Sequence, residues 1–238
     1  MKQQFADFID DLKTTHGKNL ASVILYGAAA EGALESKRPD YNLLIALHKI
    51  APKDLRNAHA AMREWQRMGN PVPVYFTVSE LQNAGDVFPM EFSQMEAARK
   101  ILYGKDVLAG LEFSDKNLRH ETEYELRSSL IKLRRQYISA STSVEGLKKL
   151  MADSLTSFAA IFRAVLMLHG VEPPLDKRAI VALTAQRLKI DGTPFEKIFN
   201  IRENNFTPVL DETSANALFG EYMEQIENVI HAVDSIGK

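Results

Sequence analysis

The chain has 238 residues, of which 45% are hydrophobic and 25% charged, with 12 Gly and 9 Pro, a composition of globular rather than disordered or fibrous proteins. Its 29 Lys and Arg nearly balance 31 Asp and Glu, so a formal charge of -2 provides no overall basic field to draw it to nucleic acid or an anionic membrane. The absence of cysteine excludes disulfides, thiolate nucleophiles, zinc ribbons and iron–sulfur clusters, and predicts a cytoplasmic protein.

At roughly 100–200 residues per domain, the length favours two modest domains. The acidic residues in MKQQFADFIDDLKTTHG interrupt any signal-peptide core, so a helix rather than an export signal is expected there, with Phe5, Phe8, Ile9 and Leu12 at helical spacing and a stop at Gly17. Leu20 to Tyr26 reads as a buried strand ending at Gly27, and Tyr41 to Leu47 as a second strand. Pro52 opens a helical stretch through Met68, and Gly69, Asn70 and Pro71 break it before a third strand from Val72 to Val78. A turn around Asp86 to Pro89, a helix from Phe92 to Lys100 and a short strand at Ile101 to Tyr103 complete the first half.

From about Ser114 the pattern is helical only, which predicts domains at 1–114 and 115–238. Starts are expected at Ser114 or Asp115, at Ser143, at Asp176, at a capping box made by Thr193, Pro194 and Glu196, and at Asp211, giving a bundle of five helices. The most apolar segment, Ser154 to Leu168, has 15 residues and contains Arg163, short of the roughly 20 apolar residues that a membrane span needs. Its helix is apolar nearly all round, which predicts the centre of the bundle or a subunit interface, with Arg163 in an ion pair.

The chemistry concentrates in Tyr26-Gly27-Ala28-Ala29-Ala30-Glu31-Gly32 and Pro39-Asp40-Tyr41-Asn42. Gly27 and Gly32 permit a tight turn whose N–H groups can approach a phosphate, because no Cβ blocks the ligand. Asp40 and Asn42, two apart on a strand, point to one face, as ligands of divalent ions do. A Walker A reading fails, since Ala33 and Leu34 follow the second glycine where Lys and Ser or Thr are needed. A plain glycine turn between two core strands remains an alternative.

Helix, strand, glycine turn and an Asp-x-Asn on the next strand resemble the nucleotidyltransferase superfamily over residues 1 to about 110. The resemblance implies an α+β fold: a mixed-sheet nucleotidyltransferase-like domain followed by an all-α helical bundle that covers the cleft. In that family a Gly-Ser turn holds the nucleoside triphosphate, an Asp-x-Asp pair binds two magnesium ions, and a later strand supplies a third carboxylate. Here Gly27 matches the glycine and Asp40 the first aspartate, but the serine is Ala28, the second aspartate is Asn42, and the third carboxylate falls near Pro73. Glu31 adds a negative charge where a triphosphate would lie.

The resemblance therefore implies a nucleotide site at Gly27, Ala28, Gly32, Asp40 and Asn42, with Asp40 as the one clear ligand for Mg2+. One carboxylate neutralises two adjacent ions poorly, so the expected function is a non-catalytic nucleotide-binding or regulatory module. The alternative is an active Mg2+-dependent enzyme that moves an NMP from NTP to a small molecule or protein, with Asp86 or Glu91 completing the ligand set. Partners expected are a nucleotide and either another protein or a second copy bound through the helical domain, with no nucleic acid and no membrane. Arg127, Lys132, Arg134 and Arg135 read as a solvated face answering Glu121, Glu123 and Glu125, and the six His residues show no metal-ligand spacing.

Overall fold

In a computed structural model that describes residues 2–27, 29–30, 41–112, 114–203 and 210–236, the chain is α+β. It divides into two units, Met1–Ser114 and Asp115–Lys238.

The first unit opens with α1 (Lys2–His16) and continues into β1 (Leu20–Tyr26) and β2 (Asn42–Leu47). These two strands read as continuous apolar runs because both of their faces are covered. Val23, Leu25, Leu43 and Ile45 pack on one side with Phe8 and Leu12 of α1 and with Trp65. Ile24, Leu44 and Ala46 pack on the other side with Leu81, Phe92 and Met95. The expected helical stretch from Pro52 is two helices, α2 (Pro52–Asn57) and α3 (His59–Arg67), separated at Ala58. Trp65 of α3 stacks on Phe8 with centroids 4.5 Å apart and donates its indole N–H to the Pro71 carbonyl at 2.9 Å, fixing the path into β3 (Val74–Thr77).

The sequence places the third strand through Val78, but it stops at Thr77 because Thr77 caps a helix, α4 (Val78–Asn83). The Glu80 N–H donates to Thr77 Oγ1 at 3.0 Å, and the Thr77 N–H donates to the Glu80 carboxylate at 2.7 Å. Next come α5 (Pro89–Ala97) and β4 (Arg99–Gly104), each longer or earlier than its apolar residues alone suggest. The sheet order is β3-β2-β1-β4, with β1 antiparallel to both neighbours and β2 parallel to β3.

The second unit holds five helices among the described residues: α6 (Asp115–Ala140), α7 (Val144–Leu168), α8 (Lys177–Leu188), α9 (Thr193–Arg202) and α10 (Glu212–Asp234). Ser143, Asp176 and Asp211 cap α7, α8 and α10 through their side chains, as their residue types predict. The capping box at Thr193 does not form. Thr193 is already helical after Gly192, and its N–H donates to the Asp191 carboxylate at 2.9 Å. Glu196 turns instead to Arg178.

The central helix is α7, which contacts the other four. Phe158 and Phe162 join Phe195 and Tyr222 in one aromatic cluster, and the Tyr222 hydroxyl lies 3.1 Å from Ser154 Oγ. At 25 residues, α7 exceeds the 15-residue apolar segment of the sequence, and its length and composition would suffice to cross a membrane. Half of its most apolar stretch is buried inside the protein, the pattern of a core helix. Arg163 donates to the Pro174 carbonyl at 2.8 Å, so its head reaches the α7–α8 connection.

Candidate functional site

The corner that carries the sequence motif is the end of β1 and the start of β2. Tyr26 and Asn42 are the last register pair of that ladder, and Gly27 follows at φ +78°. A left-handed backbone suits glycine, and it turns the chain out of the sheet here. The Gly27 N–H donates to the Ala98 carbonyl at 2.9 Å, and the Ala30 N–H closes a turn onto the Gly27 carbonyl at 2.8 Å. Two N–H groups that a phosphate could have used are thus bonded within the chain. Ala29 and Ala30 pack against the α1 side of the core. Ala28, Glu31, Gly32 and Asp40 lie outside the described residues.

Side chains alternate along β2, so Asn42 shares its face with Leu44 and Ala46. Val74 is the register partner of Leu44, and Phe76 that of Ala46, so these are the β3 residues on the Asn42 face. Pro73, where the resemblance placed the third carboxylate, precedes the strand. The residue of β3 on this face nearest to Asn42 is therefore Val74, an exposed valine paired with Leu44, with exposed Val72 before it. On β2 and β3 the described side chains of this face are an amide and apolar groups.

Glu91, in the first turn of α5, is the acidic group that the fold brings toward this face. The Tyr26 phenol is held above its ordinary value, first by burial and then by the Glu91 charge. Tyr26 pairs with Asn42, so Glu91 acts on the side of the sheet that Asn42 shares. Asp86, the other acidic residue named from the sequence, lies exposed in the turn between α4 and α5. Among the described residues no group of three His, Asp or Glu is placed to hold a metal ion. A cavity of about 790 Å3 opens at the opposite end of the sheet, beside Leu20, His48, Gln82 and Lys105, away from Gly27.

No family model and no curated protein matches the sequence. Among solved structures, the chain is similar to a spectinomycin adenyltransferase from Enterococcus faecialis determined with ATP and spectinomycin. The TM-score is 0.61 at 10% identity, over 97% of this chain and 99% of that one. The chain thus has a nucleotidyltransferase-like mixed sheet followed by a helical region, as the sequence resemblance implies.

Proposed function

We propose that this chain is a nucleotidyltransferase-fold module that binds nucleotide or regulates a partner without transferring a nucleotide. The observation that carries the reading is the pairing of β2 with β3: Asn42 and Val74 occupy one face where a two-metal site needs carboxylates. Paired ions must be neutralised while they stabilise the attacking and leaving oxygens, and an amide beside a valine does neither. The described residues do not fit a two-metal centre, and no transfer step is assigned to one. Nucleotide contact is assigned to Gly27, Ala28, Gly32, Asp40 and Asn42, and Asp40 would hold Mg2+ only in an active enzyme. The similar adenyltransferase was solved with ATP, which makes an adenine nucleotide the first ligand to try. Protein contacts are assigned to the helical unit, and the cysteine-free composition supports a cytoplasmic setting.

A ligand that binds only the folded state raises the thermal midpoint by mass action. Midpoints with ATP, GTP, CTP and UTP, each with Mg2+ and with EDTA, test the reading. Any nucleotide-dependent rise is expected to be the same with metal and with chelator. A rise that requires Mg2+ and disappears in Asp40→Ala contradicts it.

The influence of Glu91 on Tyr26 favours one second reading, an active transferase whose ligands are Asp40 and Glu91. Under it, Glu91→Gln removes both Mg2+-dependent binding and transfer. Under the first reading Glu91→Gln changes neither.

A further inference from the structure

We infer that the cavity at the far end of the sheet is a small-molecule site for an organic anion, a carboxylate or a phosphate ester, distinct from the Gly27 corner. Its volume is about 790 Å3, within the range of small-molecule pockets, and every residue of its wall belongs to the first unit. Both neighbours of β1 run antiparallel to it, so β2 and β4 end where β1 begins. His48 follows Leu47, the register partner of Leu20, and Lys105 follows Gly104, the partner of Ser22. His48 and Lys105 therefore leave the sheet on either side of Leu20 and Ala21, with backbones about 10 Å apart at the usual strand spacing. Gln82 of α4 adds a third polar side chain to the same wall.

The charge balance of the wall identifies the ligand. Among the described residues the side chains of His48, Gln82 and Lys105 have no hydrogen-bond or ion-pair partner within the chain. Asp106, next to Lys105 in the chain, is turned to Arg99 at 3.0 Å and accepts the Leu108 N–H at 3.1 Å, so it does not neutralise the ammonium. An uncompensated cation, an imidazole and an amide donor on one cavity suit an anionic oxygen head. The remaining acid of the wall, Glu112, lies on the side of Gly85, so the head is placed toward His48 and Lys105. Leu20, Val107 and Leu111 offer apolar surface to the rest of the ligand, so an organic anion fits better than a bare ion.

The segment that carries Lys105 is fixed at several points. Ser22, buried in β1, donates from Oγ to the Lys105 carbonyl at 2.6 Å. Arg99 holds Asp106, and buried Leu108 joins the core cluster of Ile24 and Leu44. At the end of the segment the backbone lies so close to Gly85 that an added Cβ there would stand 2.6 Å from the Glu112 carbonyl oxygen. A wall held by a buried hydroxyl, an ion pair and a glycine contact is pre-formed, so a ligand entering the cavity has little of the chain to order.

Amide NMR of the full 15N-labelled chain, titrated with phenyl phosphate, benzoate and inorganic phosphate, tests the proposal. Saturable shifts at Ala21, His48, Gln82 and Lys105 are expected in the millimolar range from at least one of the two organic anions. A preference for phenyl phosphate assigns the head as a phosphate ester, and a preference for benzoate assigns it as a carboxylate. Lys105→Met should weaken binding at least ~10-fold, the loss of one charge-assisted hydrogen bond. Lys105→Arg should retain it because the cation remains, and Lys100→Met, which removes an exposed lysine of β4 outside the cavity, should leave it unchanged. No saturable shift at these amides from either organic anion overturns the proposal. Equal weakening in Lys105→Met and Lys100→Met, or inorganic phosphate bound as tightly as the organic anions, reveals attraction of an ion only and overturns it equally.

Discussion

The Asn42 amide nitrogen lies 3.6 Å from where a Cβ on Gly27 would stand, so the turn and the second strand meet at Asn42, where the resemblance implies a carboxylate. Asn42→Asp is nearly isosteric and returns a negative charge to that corner. It is expected to tighten binding of Mg2+ or Mn2+ with ATP by roughly tenfold, since one or two carboxylates normally anchor such an ion. Isothermal titration with the metal–nucleotide complex reads the change. Unchanged affinity would mean that this corner does not hold the ion.

Two glycines at left-handed positions should respond very differently to alanine. At Gly27 an added Cβ meets only ordinary contact with Asn42, so Gly27→Ala should cost about 1–2 kcal/mol of backbone strain. At Gly104, also at φ +78°, the Cβ would collide with the Ala21 carbonyl oxygen on the neighbouring strand. Gly104→Ala should cost about 3 kcal/mol or more by forcing β4 away from β1. Denaturant unfolding of the two variants checks the order, and equal losses would contradict it.

Acid should destabilise the protein before its carboxylates titrate. His16 is buried beside Tyr75, and burial holds its pKa below the ordinary value, with the Asp54 charge partly opposing. His169 is lowered in the same direction by burial and then by the Arg187 charge. The unfolded chain takes up protons at these histidines from about pH 6.5 downward, while the folded chain resists until lower pH. Stability is therefore full above that value and falls as pH drops through it. Asp191 and Asp211 are depressed by hydrogen bonds from Thr193 and Ser214, so their contribution is lost only below the ordinary carboxylate value of about 3.9. Thermal midpoints at pH 7.5 and 5.5 should separate, and His16→Phe should narrow the gap. An unchanged gap in that variant would remove His16 from the account.

The central strands were legible because they are buried on both faces, leaving unbroken runs such as Val23-Ile24-Leu25 and Leu43-Leu44-Ile45. The bundle was legible through its caps at Ser143, Asp176 and Asp211. What escaped depended on partners distant in sequence or on competing local chemistry. Thr77 and Val78 read as strand residues until the reciprocal hydrogen bonds of Thr77 and Glu80 start α4. Thr193 and Glu196 have the spacing of a capping box, yet Asp191 and Arg178 take them first. The missing third carboxylate was visible near Pro73, but only the β2–β3 register identifies Val74 as the residue beside the Asn42 face. Glu91 gained its place from the docking of α5, which no periodicity encodes.

The most direct test is transfer itself: the purified full chain incubated with α-phosphate-labelled ATP and Mg2+ or Mn2+, alone and with cell extract. The label should remain in ATP, with no NMP on any acceptor or on the chain, in the wild type as in Asp40→Ala. Label moved to an acceptor by the wild type and lost in Asp40→Ala would show that the site is catalytic, and the non-catalytic reading would be wrong.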